Sequence, residues 1–126
     1  MRVLVCGGRN FRFAALVADA LDTIHAKTPI TLLIEGGANG ADHCASKWAE
    51  SRCVPRMTFF ADWKKFGKAA GPRRNKEMLW KGLPSLVVAF PGGTGTANMM
   101  KQATDAGVKV KAILQEPDTE RKEQGA

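Results

Sequence analysis

The sequence lacks several features that would assign it to a common class of protein. It contains two histidines and three cysteines, and no cysteine pair has the C-x-x-C spacing of zinc or redox motifs. An odd number of cysteines does not suggest a disulfide framework, so Cys6, Cys44 and Cys53 are interpreted as structural, and neither a metal site nor a cofactor is expected. No apolar run approaches the roughly 20 residues that span a bilayer. The start, MRVLVCGGRN, is too short in its apolar part for a signal peptide, so we expect a cytoplasmic protein without membrane contact.

Charge is unevenly distributed along the 126 residues, a length typical of one domain. The chain carries +7 and residues 116–126 carry −2, so residues 1–115 carry +9. Asp62 to Lys81 alone holds seven bases and two acids, a balance that attracts nucleotides or nucleic acid. Trp63 and Phe66 in this segment either pack it onto the body or stack on a base. After Gln115 no apolar periodicity remains, which predicts a folded domain over 1–115 and a disordered charged tail over 116–126.

Short apolar runs alternate with segments of helical periodicity along the whole domain. The runs predict five strands, RVLVC, ITLLIE, PRMTFFA, SLVVAF and VKVKAILQ, and the segments between them predict helices, one starting after Asn10, another over about 72–81 and another over about 96–106. Nearly continuous apolar strands separated by helices are typical of a parallel sheet covered on both faces. We therefore predict an α/β fold, a single Rossmann-like doubly wound parallel sheet of about five strands in the order 3-2-1-4-5.

Three of the predicted strands end in glycine-rich loops, CGGRN, EGGANGAD and PGGTGTAN. In the order 2-1-4 these strands are neighbours, so the loops are expected to meet at one crevice. Glycine lets backbone N–H groups approach a phosphate, and a helix N-terminus adds donors and a positive dipole end. No loop contains GK[ST] or G-x-G-x-x-G, which argues against the common ATPases and dehydrogenases. The candidate ligand-binding residues are Gly7, Gly8, Arg9, Gly36, Gly37, Asn39, Gly40, Arg74, Asn75, Pro91, Gly92, Gly93, Thr94, Gly95 and Thr96.

Polar residues near this edge have specific candidate roles. Arg9 can bind a phosphate bidentately, and Glu35 ends the second strand, where Rossmann folds often place an acid that binds ribose hydroxyls. Asp42 lies in the first turn of its helix, where it either caps the helix or contacts the ligand. Arg74 and Asn75 supply a guanidinium and an amide at the predicted start of the third helix.

The blocks GGANGAD, DWKKFGKAAGPRRNKEM and PGGTGT together resemble the SLOG superfamily of Rossmann-like nucleotide-binding proteins, and most of all its YspA-type branch of small stand-alone domains. The resemblance extends to about Gln115. It implies a nucleotide-type ligand and, from LOG relatives, a homodimer. LOG enzymes cleave nucleoside monophosphates with an arginine and with a glutamate from a PGGxGTxxE block. Arg74 matches that arginine, whereas Asn98 and Met99 stand where the glutamate would be.

Three functions follow as hypotheses, and the sequence leaves open whether the protein is an enzyme. The leading one is binding of a nucleoside phosphate or an ADP-ribose-like molecule by a sensor or sequestering protein. The first alternative is a nucleotide hydrolase or phosphoribohydrolase that uses Glu35 or Asp42 together with Arg74. The second alternative, favoured less, is binding of single-stranded nucleic acid.

Overall fold

The sheet has five parallel strands in the predicted order. A computed structural model describes residues 1–113, so the predicted boundary at residue 115 and the tail 116–126 lie outside the described residues. Hydrogen-bonded neighbours run β3-β2-β1-β4-β5, and all four pairs are parallel. The strands are β1 (Arg2–Cys6), β2 (Leu32–Glu35), β3 (Arg56–Thr58), β4 (Leu86–Ala89) and β5 (Lys109–Ala112).

Five α-helices and one 3₁₀ turn connect the strands. The helices are α1 (Ala14–Lys27), α2 (Ala41–Ser51), α3 (Trp63–Phe66), α4 (Ala70–Gly82) and α5 (Thr94–Asp105), and the 3₁₀ turn (Gly67–Ala69) joins α3 to α4. The helix predicted over about 72–81 begins earlier, at Ala70, and the short helical turns before it lack a periodic apolar pattern that would reveal them. Arg74 and Asn75 consequently lie in the second turn of α4 rather than at its start.

The first helix also begins later than Asn10. Its N-cap is Phe13, and no side chain caps it. The N–H of Phe11 donates to the carbonyl of Gly8 instead, which keeps the chain in a turn. The Phe11 ring is 5% exposed and lies 5.6 Å, centroid to centroid, from Phe90 at the end of β4. The turn therefore delivers an aromatic ring to the core beside the strand ends.

Each face of the sheet carries its own apolar layer. Successive side chains of a strand point to opposite faces. In β1, Val3 and Val5 join the cluster that includes residues of α1 and α2, whereas Leu4 and Cys6 join the cluster that includes residues of α4 and α5. The helices thus cover both faces, as a doubly wound sheet requires.

From β1 the chain adds β2 and β3 on one side of the sheet and then crosses over to add β4 and β5 on the other side, so the order switches between β1 and β4. β1 pairs with β2 on one side and with β4 on the other, and the covering helices change faces at the same point. In such sheets the connecting loops separate at the carboxyl ends of the two strands and leave a crevice between them. The functional site is therefore expected just beyond Cys6 and Ala89.

Candidate functional site

A cleft of about 610 Å³ opens where β1 and β4 end. Its size lies within the range of small-molecule sites. The cleft is lined by residues of the first and fourth strand ends, of α4 and of the start of α2: Val5, Cys6, Gly7, Gly8, Arg9, Asn10, Phe11, Ala38, Asp42, Arg74, Asn75, Met78, Pro91, Gly92, Gly93, Thr94, Gly95 and Thr96.

The loop that follows β1 and the loop that follows β4, called the first and fourth loops, are joined by backbone hydrogen bonds. The N–H of Gly8 donates to the carbonyl of Pro91 at 2.9 Å, and the N–H of Phe90 donates to the carbonyl of Cys6 at 2.9 Å. A Cβ on Gly92 would lie 2.6 Å from the Gly8 nitrogen, a separation that no side chain tolerates. Glycine at position 92 is therefore required so that the two loops can form one continuous wall.

The N-terminus of α5 faces this cleft without a side-chain cap. Gly93 is the N-cap residue, and the first helical bond runs from the N–H of Ala97 to its carbonyl at 3.1 Å. The N–H groups of Thr94, Gly95 and Thr96 precede that bond and have no acceptor upstream in the helix. A Cβ on Gly93 or Gly95 would meet no atom within 4 Å. Open glycines, orphan N–H groups and a positive dipole end are the features by which helix N-termini attract anions.

The second glycine loop has a different task. The N–H of Ala41, the first residue of α2, donates to the carbonyl of Gly8 at 3.2 Å. Gly40 has φ +76°, and a Cβ there would lie 2.7 Å from the carbonyl oxygen of Arg9. The start of α2 is thus docked on the first loop. The four candidate residues of the second loop, which are not among the residues lining the cleft, are Gly36, Gly37, Asn39 and Gly40.

Asp42 is the acid that reaches the cleft. It is 6% exposed, and its Oδ2 accepts hydrogen bonds from the N–H groups of Gly36 at 3.1 Å and Ala38 at 3.2 Å. Its Oδ1 accepts no hydrogen bond from any residue in the range 1–113. No fully buried side-chain oxygen or nitrogen in this range lacks a partner, so Oδ1 is open to the cleft. Burial raises the pKa of Asp42 to about 6, and the charge of Glu35 adds to that rise.

Glu35 is directed away from the cleft. It is 2% exposed, its Oε1 accepts a hydrogen bond from the N–H of Gly37 at 2.6 Å, and its Oε2 accepts one from the Thr58 hydroxyl. Both oxygens are occupied, and Glu35 does not line the cleft. The hydrogen bonds of this candidate acid therefore connect the end of β2 to its own loop and to β3.

Arg74 and Asn75 join the cleft wall to two loops. Nη1 of Arg74 donates to the carbonyl of Gly36 at 2.6 Å, and its Nε donates to Oδ1 of Asn75 at 3.0 Å. Nδ2 of Asn75, which is 3% exposed, donates to the carbonyl of Gly95 at 3.2 Å and to Oδ1 of Asn98 at 3.1 Å. Burial lowers the pKa of Arg74, and the negative charges nearby oppose that effect.

The positions that correspond to the LOG glutamate contribute no acid to the cleft. Oδ1 of Asn98 accepts hydrogen bonds from Asn75 and from Gln102, at 2.7 Å for the latter, and so bridges α4 and α5. Met99 is 0% exposed and belongs to the apolar cluster that includes Cys6 and Met78, two residues of the cleft lining. An apolar side chain beneath the lining thus takes the place of a carboxylate.

Sequence reasoning missed six residues of the lining, namely Val5, Cys6, Asn10, Phe11, Ala38 and Met78. Cys6 carried a usable signal, because it is the last residue of a predicted strand at the switch point. Met78 did not, since an apolar side chain on a helix is ordinarily assigned to the core. Among residues 1–113 no group of three or more His, Cys, Asp or Glu side chains could hold a metal ion.

A second, shallower groove of about 380 Å³ lies beside the cleft, and Arg74 lines both. It is lined by Phe60, Asp62, Phe66, Ala70, Arg73, Arg74, Lys76, Glu77 and Trp80. Phe60 and Trp80 are 76% and 73% exposed, and the Arg73 guanidinium lies 4.1 Å from the centroid of the Phe66 ring. Trp63 packs on the helix surface, since a Cβ on Gly71 would lie 3.3 Å from its ring.

A parallel 3-2-1-4-5 sheet with a glycine-walled cleft at its switch point defines a Rossmann-like domain. Residues 1–66 match the family described as YspA, cpYpsA-related SLOG, and the chain belongs to that family. It is 38% identical over 117 residues to the Gene 61 protein of Mycobacterium phage D29, across 86% of this chain and 93% of that protein. The predicted family resemblance is confirmed.

The fold is similar to that of a solved structure, DNA processing protein A (DprA) from Streptococcus pneumoniae. The TM-score is 0.74 at 17% sequence identity, and the match covers 92% of this chain. The matched part amounts to 51% of the DprA chain, so this chain spans about half of that structure. The likeness confirms the predicted architecture. Within residues 1–113, no helix has the length and apolar content needed to cross a membrane.

The raised pKa of Asp42 predicts that stability depends on pH. The folded protein holds the Asp42 proton more tightly than the unfolded chain, where the pKa is near 3.8, so the free energy of unfolding falls as pH rises through that interval to about 6. Between about pH 4.5 and pH 7.5 we expect wild type to lose on the order of 2 kcal/mol relative to Asp42→Asn in urea unfolding. Asp19→Asn, on an exposed position of α1, is the control. A difference between wild type and Asp42→Asn that stays constant with pH would contradict the assignment.

Proposed function

We propose that this protein binds a nucleotide or a nucleotide-derived ligand, such as a nucleoside phosphate or an ADP-ribose-like molecule, and acts as a sensor or sequestering protein. The observation that carries the proposal is the uncapped N-terminus of α5, where Gly93 and Gly95 leave room for a phosphate. Arg9 and Arg74 line the same cleft and supply positive charge. A nucleotide-type ligand also agrees with membership of the SLOG family.

The ligand's phosphate is expected to lie against the start of α5. Gly95→Asp adds a carboxylate there, and Gly95→Asn adds a side chain of the same size without charge. Because the added Cβ meets open space, both variants are expected to fold. Isothermal titration with a panel of nucleoside phosphates and ADP-ribose is expected to show affinity at least about tenfold weaker for Gly95→Asp than for Gly95→Asn. Equal affinities would place the phosphate elsewhere, and no binding by folded wild type at about millimolar ligand would refute the proposal.

A nucleotide hydrolase or phosphoribohydrolase is a second candidate. It is favoured by one observation, that Asp42 presents an open carboxylate oxygen in the cleft with a pKa of about 6. A carboxylate with that pKa is ionised at neutral pH yet basic enough to activate water. Arg74, in the same wall, would stabilise the leaving group. Glu35 is the weaker candidate, since both of its oxygens are engaged in hydrogen bonds.

The hydrolase proposal predicts that the protein releases free base from nucleoside monophosphates. Chromatography of the reaction mixture measures that release. Asp42→Asn is expected to lower the rate by about 100-fold, the usual cost of losing a general base. Glu35→Gln is expected to lower it less, and mainly by loosening the loop. No release of base by wild type would remove this candidate, and turnover that survives both substitutions would show that neither acid is responsible.

Binding of single-stranded nucleic acid is a third candidate, favoured by the groove beyond Arg74. Exposed aromatic rings beside cationic side chains are typical of surfaces on which bases stack. Phe60 and Trp80 provide the rings, and Arg73 and Lys76 provide the charge. The structural relative is a DNA processing protein, which agrees with a nucleic-acid-related role. A homodimer and a cytoplasmic location remain predictions.

The groove predicts that Trp80 contributes stacking energy to a bound strand. Trp80→Ala is expected to weaken binding of single-stranded DNA by about fivefold or more in mobility-shift assays at low salt. Leu83→Ala, which removes a side chain that is 65% exposed but not aromatic, is expected to have little effect. No shift with wild type at low salt, or equal losses in both variants, would rule out this use of the groove.

A further inference from the structure

The cleft contains one negatively charged hydrogen-bond acceptor, the carboxylate of Asp42, among groups that donate hydrogen bonds. Its other polar features include the N–H groups at the start of α5, the hydroxyls of Thr94 and Thr96 and the guanidinium groups of Arg9 and Arg74. Asp42 is the one carboxylate among the residues that line it. A ligand that fills the cleft must therefore present an anion to the donors and a different kind of group to Asp42.

The direction of the Asp42 carboxylate is fixed by the protein. Two N–H groups, from Gly36 and Ala38, hold its Oδ2, which leaves Oδ1 as the atom available to a ligand. A Cβ on Gly36 would lie 3.1 Å from that Oδ2, so the absence of a side chain at position 36 lets the carboxylate sit in this position. A ligand phosphate would be repelled from this carboxylate, whereas a hydrogen-bond donor would be attracted to its open Oδ1. The group opposite Oδ1 is therefore expected to be a hydrogen-bond donor and not an anion.

The walls of the cleft favour a sugar rather than a base at this point. Phe11 is the one aromatic residue in the lining, and its ring is 5% exposed, so the cleft offers no surface for stacking. The exposed rings of Phe60 and Trp80 lie in the groove beyond Arg74. Donors on a sugar are hydroxyl groups, which can approach a carboxylate singly or as a neighbouring pair.

We infer that Asp42 binds a ribose hydroxyl of a phosphorylated ligand and makes the cleft selective for ribosyl over deoxyribosyl phosphates. The inference rests on the proposed binding of a nucleotide-type ligand and specifies the chemistry of its sugar. It also moves to Asp42 the hydroxyl-binding role that the sequence suggested for Glu35, whose oxygens are already engaged by Gly37 and Thr58.

The test compares AMP, 2′-deoxy-AMP and 3′-deoxy-AMP by isothermal titration against wild type and Asp42→Asn. Wild type is expected to bind AMP at least about tenfold more tightly than one or both deoxy analogues, the worth of a charge-assisted hydrogen bond. In Asp42→Asn this preference is expected to fall to about threefold or less, because affinity for AMP drops while affinity for the disfavoured analogue changes little. Asp19→Asn removes one exposed negative charge and is expected to keep the wild-type preference.

Ribose 5-phosphate and IMP separate the sugar from the base as the source of the donor. Both keep the hydroxyls and lack the adenine amino group, so both are expected to lose affinity in Asp42→Asn as AMP does. Loss of affinity for AMP alone would overturn the inference in favour of a base contact. Equal binding of AMP and both deoxy analogues by wild type, or equal losses for all three in Asp42→Asn, would overturn it while leaving the proposed function intact. If neither a nucleotide nor ribose 5-phosphate binds wild type, both fail.

Discussion

The backbone N–H and carbonyl groups of Gly8 connect the loops at the edge of the sheet where the cleft opens. The N–H donates to Pro91 in the fourth loop, and the carbonyl accepts from Phe11 in its own turn and from Ala41 at the start of α2. Two segments distant in sequence, the loop after β4 and the start of α2, are thus fixed to one residue. Gly40 and Gly92 lack side chains where each would collide with this junction. The position of the cleft is consequently set by backbone hydrogen bonds, and the fold itself orients the N–H donors along its wall.

The architecture could be predicted because the apolar pattern of this sequence is unambiguous. Continuous runs such as VLVC and LVVA are buried on both faces, and the right-handed crossover rule leaves few strand orders. The boundaries were harder. The turns over residues 63–69 are helical because Asp62 caps the N–H of Lys65, and that local bond leaves no periodic signature. The late start of α1 depends on a contact between Phe11 and Phe90, which lie 79 positions apart in the chain.

The site was predictable in part, for a definable reason. Glycine pairs after neighbouring strands indicated the edge of the sheet where the cleft opens, but sequence does not reveal which glycines line the cleft and which face another loop. The second loop turned its glycines toward the protein and brought Asp42 into the cleft instead of Glu35. That exchange depends on hydrogen-bond partners such as Thr58 of β3, which lies 23 positions from Glu35 in the chain. The presence of a carboxylate at positions 35 and 42 therefore did not show which of the two, Glu35 or Asp42, reaches the cleft.

Arg74 lines two cavities at once, the cleft and the shallower groove that contains Phe60 and Trp80. Its Nε and Nη1 are tied to Asn75 and Gly36, so the guanidinium cannot move independently of either cavity. An anion bound on one side neutralises charge that the other side would otherwise use. Ligands bound in both cavities would therefore share one cation, and thermodynamic linkage would require that each changes the affinity for the other by the same factor.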